Sequence, residues 1–376
     1  MDLVRWRRST SVLGGLLAVV VVILRLWQAR TALVANDDFT VYWQVARGLL
    51  DGGDPWVRGF VYLPGAVLAF LPLGLVGEPL AADAWLVLSA VAVAATAAVL
   101  ARRHQLPVGL TVAGVFAAFP TESALQFGNV TALQLPLLAG AAVALTTRRW
   151  RTAGLLVGVG IVLKPVLVVC LLVFVLRRRW VATGIALAAP ILTSAAVLAV
   201  AGSASGWSAT VRDGLGVAGR DPSSADLAAT LSRLGLPTGA ALLLAGVVLV
   251  TAGYVVLAAH RRRDDETVLL VPLLAAFLVG SVAWAHYPLL LLPLVLASLR
   301  ADRLERVLAA TAAACFLLPE VVAGQVVRAV PPGRVFTLLT AGLLLVLLAG
   351  LSGVPGVRRW VLRARRRGDG LIPVLR

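Results

Sequence analysis

Apolar stretches of 12 to 25 residues, separated by short polar clusters, run almost the whole length of the chain. A stretch of roughly 20 apolar residues crosses about 30 Å of hydrocarbon as a helix. On that measure residues 11–28, 81–101, 107–120, 130–147, 181–201, 238–259, 267–284, 288–299, 307–327 and 335–355 read as spans, several of them short. No run alternates with the period of two that marks a half-buried strand. The pattern predicts an all-α polytopic membrane protein of about 10–12 transmembrane helices, organised as one domain over 1–376.

Composition agrees with this reading. Hydrophobic residues make up 60% of the 376 and charged residues 14%, with a mean hydropathy of +0.93. The N-terminal RWRRSTSVLGGLLAVVVVILRLWQ has the charge pattern of a signal peptide, but its apolar part is long and no small-residue cleavage site follows, so it reads as a retained first span. The two cysteines, Cys170 and Cys315, lie in apolar runs and read as small core residues. No Cys/His cluster offers a metal site, and neither a metal nor a cofactor is expected.

Charge then orients the chain. A net charge of +16 raises nucleic-acid binding as a class, but the arginines fall in clusters between apolar stretches, where they act as topology signals; no nucleic-acid partner is expected. If the clusters Arg5/Arg7/Arg8, Arg102/Arg103, Arg148/Arg149/Arg151, Arg177/Arg178/Arg179, Arg261/Arg262/Arg263, Arg300/Arg303/Arg306 and the basic tail 356–376 are cytoplasmic, both termini lie in the cytoplasm and the protein sits in the cytoplasmic membrane. Acids show the opposite bias: Asp37, Asp38, Asp51, Asp54, Glu78 and Asp83 fall in or beside the first outer loop, 29–80.

Two segments must then depart from simple crossing. FVYLPGAVLAFLPLGLVG, 60–77, carries Pro64 and Pro72 and fits a helix at the outer interface. Residues 152–176 have the length of one span but an arginine cluster at each end. A re-entrant pair of half-helices, broken at Lys164-Pro165, satisfies both clusters. Lys164 is the only lysine in the chain, and a lysine at membrane depth normally faces a polar cavity or an anion.

Candidate chemistry gathers at the outer face. Asn36 or Asp37 suits the cap of a helix over about 39–50, and Asp38 at its N-terminus lies where the helix dipole favours a carboxylate. An aspartate at a cavity mouth suits general-base work on a hydroxyl. Lys164, His286, Arg220 and Arg233 are cations able to hold a phosphate. Asp37, Tyr42, Tyr62, Gln126, Asn129, Trp284 and Tyr287 suit sugar or acceptor binding, although aromatics also occur as ordinary interfacial anchors. Glu320 is a further acid inside an apolar run. The spacing of the glycines in GLLVGVG, 154–160, suits close helix packing.

Four stretches in order resemble the glycosyltransferases of the C superfamily, specifically family 87. NDDFTVYWQVARGLLDGGDPW followed by FVYLPGAVLAFLPLGLVG is similar to that family's Asp-Phe-x-x-Tyr, Gly-rich turn and Tyr-x-Pro. QFGNVTALQLPLLAG resembles its Gly-Gln/Asn-Val segment, and GLLVGVGIVLKP its Lys-Pro segment. SVAWAHYPLLLLPL resembles its Ser-x-x-Trp-x-His-His segment, with Tyr287 in place of the second histidine. The family's Asn-x-Ser loop corresponds loosely to RDPSSADLAATLSRL.

The resemblance implies a lipid-embedded, metal-independent, inverting enzyme. It implies transfer of one sugar, most commonly mannose, from a polyprenyl phosphate to a cell-envelope glycan or glycolipid outside the membrane. The family aspartate falls on Asp38. Polyprenyl-phosphate arabinofuranose is the competing donor. Outside the enzyme class, a transporter or flippase of lipid-linked sugars also uses broken helices, and a scaffold subunit would need neither Lys164 at depth nor Asp38 at a cavity mouth.

Overall fold

A computed structural model describes residues 3–33, 37–57, 59–201, 204–218, 224–280, 283–299, 302–326, 333–352 and 354. These residues contain helices and connecting turns, without strands. In chain order the helices are α1 (Leu3–Leu33), α2 (Asp37–Leu50), α3 (Val67–Gly74), α4 (Glu78–Arg103), α5 (Val108–Ala117), α6 (Phe119–Gln126), α7 (Thr131–Thr146), α8 (Trp150–Leu163), α9 (Leu172–Leu176), α10 (Trp180–Ala201), α11 (Ala204–Ala218), α12 (Leu227–Arg233), α13 (Thr238–Arg262), α14 (Asp265–Val279), α15 (Leu292–Ser298), α16 (Arg303–Val326) and α17 (Gly333–Ser352). Most spans read from the sequence coincide with one of these helices; 107–120 is instead divided between α5 and α6, 267–284 stops as a helix at Val279, and 288–299 is a 3₁₀ segment, Tyr287–Leu291, followed by the short α15.

The protein is a multi-pass membrane protein. The spans in α1, α4, α10 and α13 are each long and apolar enough to cross alone, and α5 with α6 forms a pair bent by 63°. Shorter apolar helices complete the bundle. The expected interfacial helix at 60–77 is a 3₁₀ turn at Pro64–Ala66 leading into α3, which packs along α2. A Cβ at Gly74 would meet the backbone of Ala46 and Arg47 at 3.0 Å. α2 starts at Asp37, two residues earlier than its expected start, and ends before Gly52, whose φ of +71° is open to glycine at little cost.

Two hairpins share one construction. α8 rises about 21 Å at 1.5 Å per residue, stops at Lys164, and the chain returns through a 3₁₀ segment, Pro165–Leu171, and α9. Lys164 is extended (φ −156°, ψ 116°) because Pro165 disfavours helix in the residue before it. The return leg covers about the same distance, because a 3₁₀ helix climbs about 2.0 Å per residue. Arg148–Arg151 at the foot of α8 and Arg178–Arg179 beyond α9 therefore line one cavity. This is the re-entrant arrangement expected from the two arginine clusters.

The second hairpin rises along α14, breaks before His286, and returns through the 3₁₀ segment Tyr287–Leu291, with Pro288 in its first turn, and α15. Ion pairs tie the feet of this framework together. Arg103 of α4 meets Glu266 at 2.6 Å, and Arg177 after α9 meets Asp265 at 2.5 Å.

The glycine spacing on α8 serves packing against α10. A Cβ on Gly154 would lie 2.5 Å from the Ala182 carbonyl oxygen, and one on Gly158 would lie 2.9 Å from Ala186 Cα. Gly154→Val is expected to lower the apparent stability by about 1–3 kcal/mol, the usual cost of overpacking, read as a fall in melting temperature by tryptophan fluorescence in detergent. Gly184→Val, at a position with no atom within 4 Å of an added Cβ, is the matched control and should leave the melting temperature unchanged.

Candidate active site

Both hairpin tips and the first loop converge on Asn129. α6 ends at Gln126, and Gly128 takes a positive φ of 60°, which turns the chain so that the Asn129 amide donates to the Ala124 carbonyl (2.8 Å). Trp85 of α4 fixes this turn by donating from Nε1 to the Gly128 carbonyl at 2.6 Å. The Asn129 side chain then closes an Asx turn, accepting from Thr131 N (2.9 Å) and Thr131 Oγ1 (2.7 Å). Its Oδ1 is thereby oriented, and its Nδ2 donates to Asp38 Oδ2 at 2.7 Å.

Lys164 reaches the same amide from the other side. Its Nζ lies 3.4 Å from Asn129 Oδ1, 3.3 Å from Thr131 Oγ1 and 3.4 Å from His286 Nε2, and 3.9 Å from the centroid of the Tyr287 ring. All three hydrogen-bond contacts are longer than the 2.7–2.9 Å typical of an ammonium with its acceptors. The ring supplies a cation–π contact. Asn129, Lys164 and His286 are 2%, 6% and 4% exposed; Asp38 is half-buried. One amide thus separates a carboxylate from an ammonium, with Asp38 in the first turn of α2 and Lys164 at a helix break.

Aromatic rings hold α2 in place. Tyr42 stacks on Phe70 with centroids 4.3 Å apart and meets Tyr62 edge-on at 5.4 Å. The two phenols share a 2.6 Å hydrogen bond. Burial pushes both well above the ordinary phenol range, so they stay protonated. Beyond Tyr62, Lys164 and Tyr287 opens a cavity of about 1160 Å³, otherwise walled mainly by aliphatic side chains such as Val168, Leu172, Leu249 and Val279. It is polar at the lysine end and apolar along its length.

The other sequence candidates divide. Trp284 is half-buried two residues before His286, and its carbonyl accepts from Tyr287 N (3.0 Å). Gln126 donates to Glu122 at 2.7 Å. Arg233 donates to the Ser224 carbonyl (2.9 Å) and Thr230 Oγ1 (2.8 Å). Ser224 Oγ in turn accepts from the Ala283 amide (2.8 Å), and the Ala225 amide donates to the Ala283 carbonyl (2.6 Å). Arg233 therefore sits in a buttress behind the His286 segment. Arg220 and Asn36 lie outside the described residues, as do the side chains of Asp37 and Glu320.

Two residues were missed in the sequence. Thr131 contributes both to the Asx turn and to the lysine, and Asn-x-Thr before an apolar run is the signal for it. Arg25, buried within α1, donates from Nε to the Phe116 carbonyl (3.0 Å) and from Nη2 to Ala117 (3.4 Å), where α5 breaks into α6. Its Nη1 lies 3.7 Å from Glu122. A lone arginine inside an apolar span was the available signal.

The described residues thus form a membrane-embedded helical bundle with a carboxylate and a cation at the head of an apolar cavity. The model of glycosyltransferase family 87 matches residues 60–285, more than half of the chain, and the protein belongs to that family. It is a membrane glycosyltransferase. His286 is the first residue beyond the matched segment, whereas Asp38 and the whole of α2 precede it. Comparison with curated proteins and with solved structures gives no match.

Proposed function

We propose that the protein transfers a single sugar, mannose, from a polyprenyl phosphate to a hydroxyl of a cell-envelope glycolipid or glycan, from a site facing outward from the cytoplasmic membrane. The observation that carries this reading is the loosely held ammonium of Lys164 at the polar end of a long apolar cavity. A phosphate oxygen would accept shorter, charge-assisted bonds from it than Asn129, Thr131 and His286 do. The cavity exceeds the 300–1,000 Å³ of ordinary small-molecule pockets and suits the first isoprene units of a donor whose phosphate rests on Lys164.

The chemistry follows from the spacing. Asp38 takes the proton of the acceptor hydroxyl, the oxygen attacks the anomeric carbon, and the bond from that carbon to the phosphate oxygen breaks with inversion. The electron pair leaves on the phosphate, where Lys164 and His286 stabilise it. Asn129 keeps base and phosphate site apart, so Asp38 does not neutralise the lysine by direct pairing. Tyr62 and Tyr287 border the sugar between them. No nucleotide is required, because the lipid phosphate is itself the leaving group.

Purified protein in detergent, offered polyprenyl-phosphate mannose and polyprenyl-phosphate arabinofuranose separately with an envelope glycolipid extract, is expected to label the extract from the mannosyl donor alone. Transfer from the arabinosyl donor instead would keep the mechanism and replace the sugar. Movement of either donor across proteoliposomes without transfer would favour a flippase.

A further inference from the structure

At the opposite end of α8 from Lys164, the chain makes the same turn twice. After α7, Arg148 takes a positive φ of 57° and Arg149 N donates to the Ala144 carbonyl at 2.8 Å before α8 starts at Trp150. After α9, Arg178 takes a φ of 52° and Arg179 N donates to the Phe174 carbonyl at 2.8 Å before α10 starts at Trp180. Both turns read Arg-Arg-Trp, and α8 packs on α10, so they lie side by side around a cavity of about 600 Å³.

Five arginines line that cavity, Arg148, Arg149, Arg151, Arg178 and Arg179, and no acid does. Two neighbouring arginines on this end of the molecule are neutralised, in Arg103–Glu266 and Arg177–Asp265. Among the described residues no carboxylate pairs with the five, and Arg179 lies over the Trp150 ring at 4.8 Å instead. Topology signalling needs the positive charge on one side of the membrane, but not its convergence in one hollow. Like charges gathered without a counter-charge raise the field at the hollow and favour an anion there.

Position identifies which anion. Trp180 is the first residue of a membrane span and is 62% exposed, and Val181 beside it is 61% exposed. The hollow is therefore at headgroup depth, with an apolar wall leading toward the acyl chains.

We propose that the paired Arg-Arg-Trp turns form a binding site for the phosphate headgroup of an anionic phospholipid, with an acyl chain along Trp180 and Val181. The lipid is a structural or modulating ligand some 20 Å from Lys164, by the length of α8 at 1.5 Å per residue. It bridges the α7–α8 and α9–α10 turns, and so holds the foot of the re-entrant pair whose tip carries Lys164.

Native mass spectrometry of the full-length protein from neutral detergent tests this, with added phosphatidylglycerol, phosphatidylcholine or inorganic phosphate. Wild-type protein is expected to retain phosphatidylglycerol and to shed phosphatidylcholine. The Arg149→Gln/Arg151→Gln/Arg179→Gln variant should bind phosphatidylglycerol about 10- to 100-fold more weakly. Arg261→Gln/Arg263→Gln, which removes charge from another cluster, should bind as wild type. Arg151→Gln alone, at an exposed side chain, gives a partial loss and serves if the triple variant does not fold. Equal retention of phosphatidylglycerol by wild type and triple variant would overturn the site. So would equal retention of the two lipids, or an equal loss in the Arg261/Arg263 control. Retention of inorganic phosphate without lipid would overturn the lipid assignment.

Discussion

Asp38→Asn is expected to lower turnover by about 100- to 10,000-fold, the usual contribution of a general base, with the melting temperature and the binding of donor nearly unchanged. The geometry makes this a clean substitution. Asn129 Nδ2 donates to Asp38 Oδ2 at 2.7 Å, and an asparagine at 38 can present its own Oδ1 to the same donor. The alternative, a flip of Asn129, would turn its amide nitrogen toward Thr131 N, setting donor against donor, and lose the backbone bond of the Asx turn. The variant therefore keeps the local structure and loses only the ability to accept a proton. Single-turnover transfer from radiolabelled donor, beside a thermal melt, measures both. Asp37→Asn is the comparison: a loss confined to that variant would move the base by one residue, and full activity in both would remove general-base catalysis by this loop from the mechanism.

The helices, the break at Lys164-Pro165 and the meeting of the two arginine clusters that flank 152–176 were legible because each rests on a local signal: apolar run length, a proline, a charge bias. Lys164 stood out for the same reason, a charge where the pattern forbids one. What the one-dimensional pattern does not carry is which polar residues meet. Asn129 is 91 residues from Asp38 and 35 from Lys164, and His286 is 122 from Lys164. Asn129 reads as a sugar ligand or a cap from its neighbours alone, and becomes the bridge between the Asp38 carboxylate and the Lys164 ammonium only when α2, α6 and α8 are folded together. Gln126 finds a partner on its own helix. It lies on the last turn of α6, one helical turn from Glu122, and donates to it across i, i+4. Arg25 went unread because a single arginine near a span end passes for an interfacial anchor; only the bend between α5 and α6 presents the carbonyls that it satisfies.

Lys164→Met separates a functional lysine from a structural one, because the two roles predict opposite responses of stability and activity. A buried ammonium costs desolvation, about 2.5–3.5 kcal/mol on membrane-insertion scales, and here its three hydrogen-bond contacts of 3.3 to 3.4 Å offset that poorly. Methionine fills a similar volume without the charge. Removing the cation leaves Asn129 Oδ1 still bonded twice by Thr131 and Asp38 still bonded by Asn129, so no carboxylate is stranded. The melting temperature is expected to stay level or rise. Transfer should instead fall by about 100- to 1,000-fold, the range seen when one charge-stabilising donor is removed from an active site, with the loss in kcat and in the retention of polyprenyl phosphate alike. Lys164→Arg should not restore it, because a planar guanidinium does not fit the space of a compact ammonium set between His286, Thr131 and the Tyr287 face. A lysine that merely holds the hairpin tip together would give the reverse: a lower melting temperature in Lys164→Met, with transfer per folded molecule intact.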